Sequence, residues 1–420
     1  MEHIIRRTGR RVFLVATLVA VTAGTPTAWS QETAGAPFFS RWVATWGAAP
    51  MAPGSALEPP TTFENQTVRH VVHISVGGQR IRVRLSNAYG AAPLLIGDAH
   101  VAVHADGASI VAGSDRTLTF SGQPSISIPT GAVALSDPVT LNVPSLADLV
   151  VSIYVPNNTG PATYHESSDQ TAYISGPGDF TSAVTFPTAQ TSLSRFWLSG
   201  VEAEPLIKVG AVVAIGDSIT TSFQSTIDAN RRWTDDLAAR LDPPGGAPRL
   251  AVINEGIGCS RLLTDFCGPN GSSRFDRDVL AQTGVTHVIL DMGLTDIVFP
   301  TVLGAPSPTV TPDQIITGLR QVIERAHARG VRIIGATLTP NEGSTYPGFF
   351  TPAGEAERQA VNQWIRTSGA YDGVIDFDAA VRDPSDPARL LPAYASPDNT
   401  HLSDAGYQAM ANAIDLSLFR

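Results

Sequence analysis

At 420 residues, 43% hydrophobic and 16% charged, the chain is globular in composition and long enough to bury two cores, which excludes a disordered chain. Its formal charge of −10 comes without long acidic runs. That balance argues against nucleic acid as a partner and fits a soluble acidic protein, expected to be a monomer.

Residues 1–30 read as an export signal. Arg6, Arg7, Arg10 and Arg11 precede an apolar run from Val12 to about Val21, too short for a permanent membrane anchor. Ala28 and Ser30 are small residues at the two positions a signal peptidase reads, so cleavage is expected after Ser30. Arg10-Arg11-Val12-Phe13-Leu14 also resembles a twin-arginine signal. No later segment is long and apolar enough for a membrane helix, so the mature protein is expected to be secreted or periplasmic. In such an oxidising compartment the two cysteines, Cys259 and Cys267, are expected to form a disulfide. Two thiolates without flanking histidines cannot complete a zinc shell, and no metal or other cofactor is expected. Two separate free thiols are the alternative.

From 31 to 205 the texture is short β runs and turns. Thr67–Val76 and Arg80–Leu85 alternate apolar and polar residues, and Gly77-Gly78 between them is a hairpin signal. Further short runs, such as 94–96, 100–104, 149–155 and 196–198, are separated by proline, glycine and asparagine. The expected domain is a β-sandwich of jelly-roll type. Arg80, Arg82 and Arg84 share one strand face, read as solvated rather than as a ligand grip. His70, His73, His100, His104 and His165 are read as ordinary packing or surface histidines.

From 206 to 420 the rhythm changes to alternating strands and helices. Apolar runs at 211–215, 250–253, 285–290, 331–337 and 374–375 read as strands, with helical spacing between them. The clearest helix opens at Thr311-Pro312-Asp313-Gln314, an N-cap with proline at the first position and glutamine completing a capping box. Such alternation means a parallel sheet covered on both faces. The run Ala211–Ile215 stops at Gly216-Asp217-Ser218, placing a hydroxyl at the carboxyl edge of the sheet, where open α/β sheets keep their chemistry. Ser218 is therefore the candidate nucleophile. A serine hydroxyl needs a base oriented by a third group, and Asp398-Asn399-Thr400-His401 supplies both.

Gly216-Asp217-Ser218-Ile219, Asn254 to Arg261, Gly293-Leu294-Thr295-Asp296 and Asp398-x-x-His401 resemble, in order, the sequence blocks of the SGNH hydrolases, or GDSL esterases and lipases. Upstream texture such as Leu85-Ser86-Asn87-Ala88-Tyr89-Gly90 looks like secreted bacterial members with an amino-terminal β domain. The resemblance implies a flavodoxin-like sheet and metal-free hydrolysis of carboxylic esters through an acyl-enzyme. It makes Ser218 the nucleophile, His401 the base and Asp398 the acid. The oxyanion hole would be the backbone N–H groups of Ser218 and Cys259 with the side chain of Thr295. Members usually have glycine where Cys259 stands and asparagine where Thr295 stands. The substrate would be a lipid, a small ester or an acetylated glycan. The alternatives are a binding protein on this scaffold with weakened catalysis, and a polysaccharide deacetylase whose β domain binds carbohydrate.

Overall fold

The computed structural model describes residues 41–54, 58–243, 250–300 and 309–420. The expected export signal over 1–30 lies outside them. Among the described residues no helix is long and apolar enough to cross a membrane.

The antiparallel strands between Val43 and Glu204 form two main sheets. One runs Thr188–Ser192, Ala172–Pro177, Gln66–His73, Asp148–Val155, Asp98–Val103, Arg116–Thr117. The other centres on Gly78–Ser86, flanked by Leu198–Glu204, which in turn pairs with Val43–Gly47. One core joins the two sheets, with Val68, Val72, Val151 and Ile153 from the first meeting Ile81, Val83, Leu85 and Val201 from the second. The Gly77-Gly78 step is not a hairpin turn, because the strands on either side of it lie in different sheets. Its glycines are needed for close backbone approach instead: a Cβ on Gly77 would stand 2.2 Å from the Val143 carbonyl oxygen, and one on Gly78 2.5 Å from that of Glu204.

The arginine face is internally satisfied. Arg80 donates to Glu204, Arg82 and Arg84 donate to Glu202, and the Arg80 and Arg82 guanidiniums lie over the Trp42 ring. His73 and His100 meet Asp148 and Asp115, while His70 and His165 are held by the carbonyl oxygens of Phe196 and Ala49. Among the described residues no cluster of histidine, cysteine and carboxylate side chains could hold a metal ion.

After Gly210 the chain builds a five-stranded parallel sheet in the order Leu250–Asn254, Gly210–Gly216, Val285–Asp291, Arg332–Ala336, Gly373–Ile375. Numbered along the sheet's own sequence this is 2-1-3-4-5, the flavodoxin-like order of a doubly wound sheet. Alternate residues of the first strand face opposite layers. Ala211, Val213 and Ile215 pack with the helices Pro312–His327 and Pro352–Thr367, and Val212 and Ala214 with Trp233–Leu241 and Asp404–Ala413. A strand buried on both sides must be apolar at every position, which is why its sequence shows no alternation. The order reverses between the first and third strands. Their carboxyl ends, Gly216 and Asp291, therefore open a crevice where loops can converge.

The antiparallel region joins this sheet rather than hanging from it. Val43, Ala44 and Val76 enter the α/β core, the Ala44 N–H donates to the Thr283 carbonyl oxygen at 2.9 Å, and the Val252 N–H donates to Ser75 Oγ at 3.0 Å.

Candidate active site

Ser218 stands at the carboxyl end of the first parallel strand, as the first residue of the short helix Ser218–Thr221. Asp217 caps that helix, its Oδ1 accepting the Ile219 N–H at 2.9 Å. Gly216 has no alternative here, because a Cβ would meet Thr220 Oγ1 at 2.0 Å and the Asp291 carbonyl oxygen at 2.6 Å. The turn that exposes the serine hydroxyl is thus fixed by its own neighbours.

His401 Nε2 lies 2.8 Å from Ser218 Oγ, and His401 Nδ1 lies 2.7 Å from Asp398 Oδ2. A carboxylate can only accept, so the Nδ1 proton goes to Asp398 and Nε2 is left to accept the serine proton. The three-residue spacing has a local cause. Asp398 Oδ1 accepts the N–H groups of Thr400 and His401, each at 2.9 Å, and the Ser396 hydroxyl at 2.7 Å, while Asn399 takes a positive φ of 53°. One carboxylate so folds the turn with one oxygen and orients the imidazole with the other. The Phe223 ring packs edge-on against the imidazole, centroids 4.9 Å apart.

Burial works to raise the Asp398 pKa, but the hydrogen bond and charge of His401, with the N–H donors, outweigh it and hold the carboxyl well below the usual range. A depressed carboxyl contributes stability that is present above its unfolded value, about 3.9, and is lost as pH falls through the folded one. Wild-type stability is accordingly expected to drop in acid more steeply than that of Asp398→Asn, so urea midpoints of the two should converge below about pH 4. A gap that stays constant across the acid range would refute this. Asp217 and Asp291 carry the opposite sign. Burial pushes both carboxyls up, and the charge of Asp291 pushes Asp217 further, so their contribution is present in acid and lost as pH rises.

The second sequence block forms the loop after Leu250–Asn254. Cys259 adopts φ 57°, the left-handed region where glycine is the easier residue. The expected disulfide to Cys267 is not there. Both cysteines are free, 2.8 Å apart, whereas a bonded pair requires about 2.05 Å. The two thiols are in contact without a bond, and that contact, with burial, pushes the Cys259 thiol pKa up. Reductant is therefore expected to leave activity and melting temperature unchanged, and thiol titration of the denatured chain should return both thiols.

Thr295, in the third block, is 2% exposed, and its hydroxyl donates to the Ser260 carbonyl oxygen at 2.6 Å. Threonine has one hydroxyl proton, so in this state it cannot also be given to a substrate oxygen. Its neighbour Asp296, fully buried, accepts the N–H groups of Leu262 at 2.6 Å and Leu263 at 3.1 Å. These two residues clamp the loop that carries Cys259. Asp296 was not singled out in the sequence, although it completes the same four-residue block. Among the described residues, no protein acceptor takes the Ser218 or Cys259 N–H.

Ser218, His401, Cys259 and Thr295 all line one cavity of about 630 Å³. Part of its wall comes from the antiparallel region, through Glu58, Glu166, Ser167, Leu193 and Ser194. Another part is aromatic: Phe266, Phe299, Tyr346 and Phe349. None of these aromatics was legible as a site residue, though Phe266 and Phe299 follow Cys259 and Thr295 by seven and four positions.

Residues 214–409 match the GDSL-like lipase/acylhydrolase family. No curated protein matches the chain. Solved structures similar to it include a GDSL-like lipase from Bacteroides thetaiotaomicron, at 18% identity over 51% of this chain and 91% of that one, TM-score 0.38. The M. smegmatis aryl esterase shares 15% identity over 49% of this chain and 96% of its own, TM-score 0.38. A Bacteroides fragilis protein described as a putative acylhydrolase shares 20% identity over 50% and 88%, TM-score 0.37. With the sequence match covering every strand of the parallel sheet from Ala214 onward and the loops at its carboxyl edge, residues 214–409 form a domain of the GDSL-like lipase/acylhydrolase family, a hydrolase of ester bonds.

Proposed function

We propose that the protein is an exported serine esterase that cleaves carboxylic esters through an acyl-enzyme, with Ser218, His401 and Asp398 as its catalytic triad. The observation that carries this reading is the continuous hydrogen-bonded chain from Ser218 Oγ through His401 to Asp398, opening into a cavity beside two uncommitted backbone N–H groups.

Ser218 Oγ attacks the ester carbonyl carbon while its proton passes to His401 Nε2. The carbonyl oxygen becomes an oxyanion and takes the N–H groups of Ser218 and Cys259, donors fixed before the charge develops. Collapse breaks the bond to the alcohol oxygen, which leaves with the proton held at Nε2. Water then repeats the sequence on the acyl-enzyme, giving up its proton to Nε2 and releasing the carboxylic acid and the free serine. Asp398 holds the imidazole tautomer and balances the imidazolium in both halves. In this reading Thr295 acts through Ser260, holding the Cys259 loop in place, and is not itself a third donor.

A fluorophosphonate tests the assignment directly. It should inactivate the enzyme stoichiometrically with the adduct on Ser218, and hydrolysis of p-nitrophenyl acetate should vanish in parallel. An adduct mapped to another serine, or no hydrolysis of any ester, would sink the proposal.

A further inference from the structure

The cavity is far larger than an acetyl group requires, and it lies in the range that buries drug-sized ligands. Its aromatic part is a continuous cluster of contacting rings rather than a flat platform. Phe266 and Phe299 are 4.7 Å apart with planes tilted by 37°, Phe299 and Phe349 stand at 88°, and Tyr346 and Phe349 at 49°. Rings in mutual contact but turned through such different planes make an uneven apolar wall, whereas a sugar platform needs faces laid in one plane. An apolar group lying against this wall would meet both ring faces and ring edges.

Each aromatic is also tied to a group of the reacting centre. Phe266 sits on the loop that presents Cys259, and Phe299 directly follows the helix Leu294–Val298 that carries Thr295. Tyr346 and Phe349 belong to a strap, 341–349, closed on itself by the Asn341 amide donating to the Phe349 carbonyl oxygen at 2.8 Å. That strap is fastened to the Asp398 turn three times. The Thr345 N–H donates to the Asp398 carbonyl oxygen at 2.9 Å, the Thr400 hydroxyl donates to Ser344 Oγ at 2.6 Å, and the Tyr346 hydroxyl reaches Asp398 Oδ2 at 3.4 Å. That last oxygen is the one that takes the His401 Nδ1 proton. Tyr346 is 39% exposed and lines the cavity, so an occupant can cover it.

We infer that the aromatic end of the cavity is the acyl subsite, built for apolar acyl groups of about four carbons and longer, and that Tyr346 is a positioning residue through which the strap carries acyl occupancy to the Asp398–His401 pair. This rests on the esterase reading above. An acyl group that fills the subsite presses on Tyr346 and Phe349, and its binding energy then holds the acid and base in register as well as holding the substrate. The gain from a longer acyl group therefore appears in kcat and not only in KM.

The test uses the full chain and p-nitrophenyl acetate, butyrate, hexanoate and benzoate, so that only the acyl part varies. Each buried methylene is worth roughly fourfold, and kcat/KM for hexanoate should exceed that for acetate by more than about tenfold. Benzoate should also exceed acetate. Phe299→Ala should cut the hexanoate-to-acetate ratio by about tenfold, and Phe299→Leu, which refills most of the space, should restore much of it. Tyr346→Phe keeps the ring and removes the link, so the hexanoate advantage in kcat should shrink while its advantage in KM stays. Equal or better turnover of acetate by the wild-type chain would overturn the subsite with the esterase reading intact. So would variants that lower acetate and hexanoate alike. An unchanged kcat advantage in Tyr346→Phe would overturn the positioning role alone. Failure to hydrolyse any of the four would overturn the esterase reading and this assignment with it.

Discussion

Replacing Ser218 by alanine is expected to lower turnover of an activated ester by on the order of 10⁴- to 10⁶-fold, and His401→Ala should cost nearly as much. The two share one proton: Ser218 Oγ is poised 2.8 Å from Nε2, and neither group performs the step without the other. The double variant should consequently be little worse than either single one. Losses that multiply would mean two groups acting independently, and would remove His401 as the base for Ser218. Neither substitution should unfold the chain, because the short helix is capped through Asp217, and the Asp398 turn is held through the His401 backbone N–H rather than its ring. Circular dichroism and melting temperature of the variants check that the loss is chemical.

The elements behind that result were legible to different degrees. The parallel strands are long apolar runs buried on both faces, and such runs mark themselves: the expected 211–215, 250–253 and 285–290 correspond to Gly210–Gly216, Leu250–Asn254 and Val285–Asp291. The proximity of Asp398 and His401 was legible for a local reason of its own, since Asp398 folds the turn that presents His401. Pairings between strands distant in sequence were not. Gly77-Gly78 has the composition of a hairpin, but the partners that decide its path are the Val143 and Glu204 backbones, roughly 65 and 125 residues away by position. Glycines required by close approach look the same in sequence as glycines required by a turn. The cavity wall was illegible because it converges from separate loops, and Phe266, Phe299, Tyr346 and Phe349 follow no period. The cysteine pair failed for a subtler reason. Proximity in sequence and an expected export signal make a bond reasonable, yet whether two thiols bond or only touch depends on sulfur positions that spacing does not specify.

Asp296→Asn is expected to be the most damaging substitution outside the triad. Each carboxylate oxygen takes one loop N–H, from Leu262 and Leu263, in a site with no access to water. Asparagine keeps one acceptor and replaces the other with a donor, so one of the two amides must face an N–H group. Breaking a buried charge-assisted bond of this kind costs about 2–3 kcal/mol of stability. The catalytic loss should be larger than that of any neutral substitution in the loop, because the same segment presents the Cys259 N–H, and an oxyanion donor out of place typically costs about 10²–10³ in turnover. The effect should fall on kcat with KM little changed, since the donor matters only once charge has developed. Thr295→Val provides the comparison. It removes one hydrogen bond to the Ser260 carbonyl oxygen and should cost about 1 kcal/mol of stability. Its turnover should fall only about tenfold, as for a small displacement of a group that stays present. Were the Thr295 hydroxyl itself a donor to the oxyanion, Thr295→Val would be as damaging as Asp296→Asn while leaving stability almost untouched. Thr295→Asn would then preserve or raise turnover. Steady-state kinetics and thermal melts on these three variants decide between a loop clamp and a third donor, because the clamp couples turnover to stability and the donor does not.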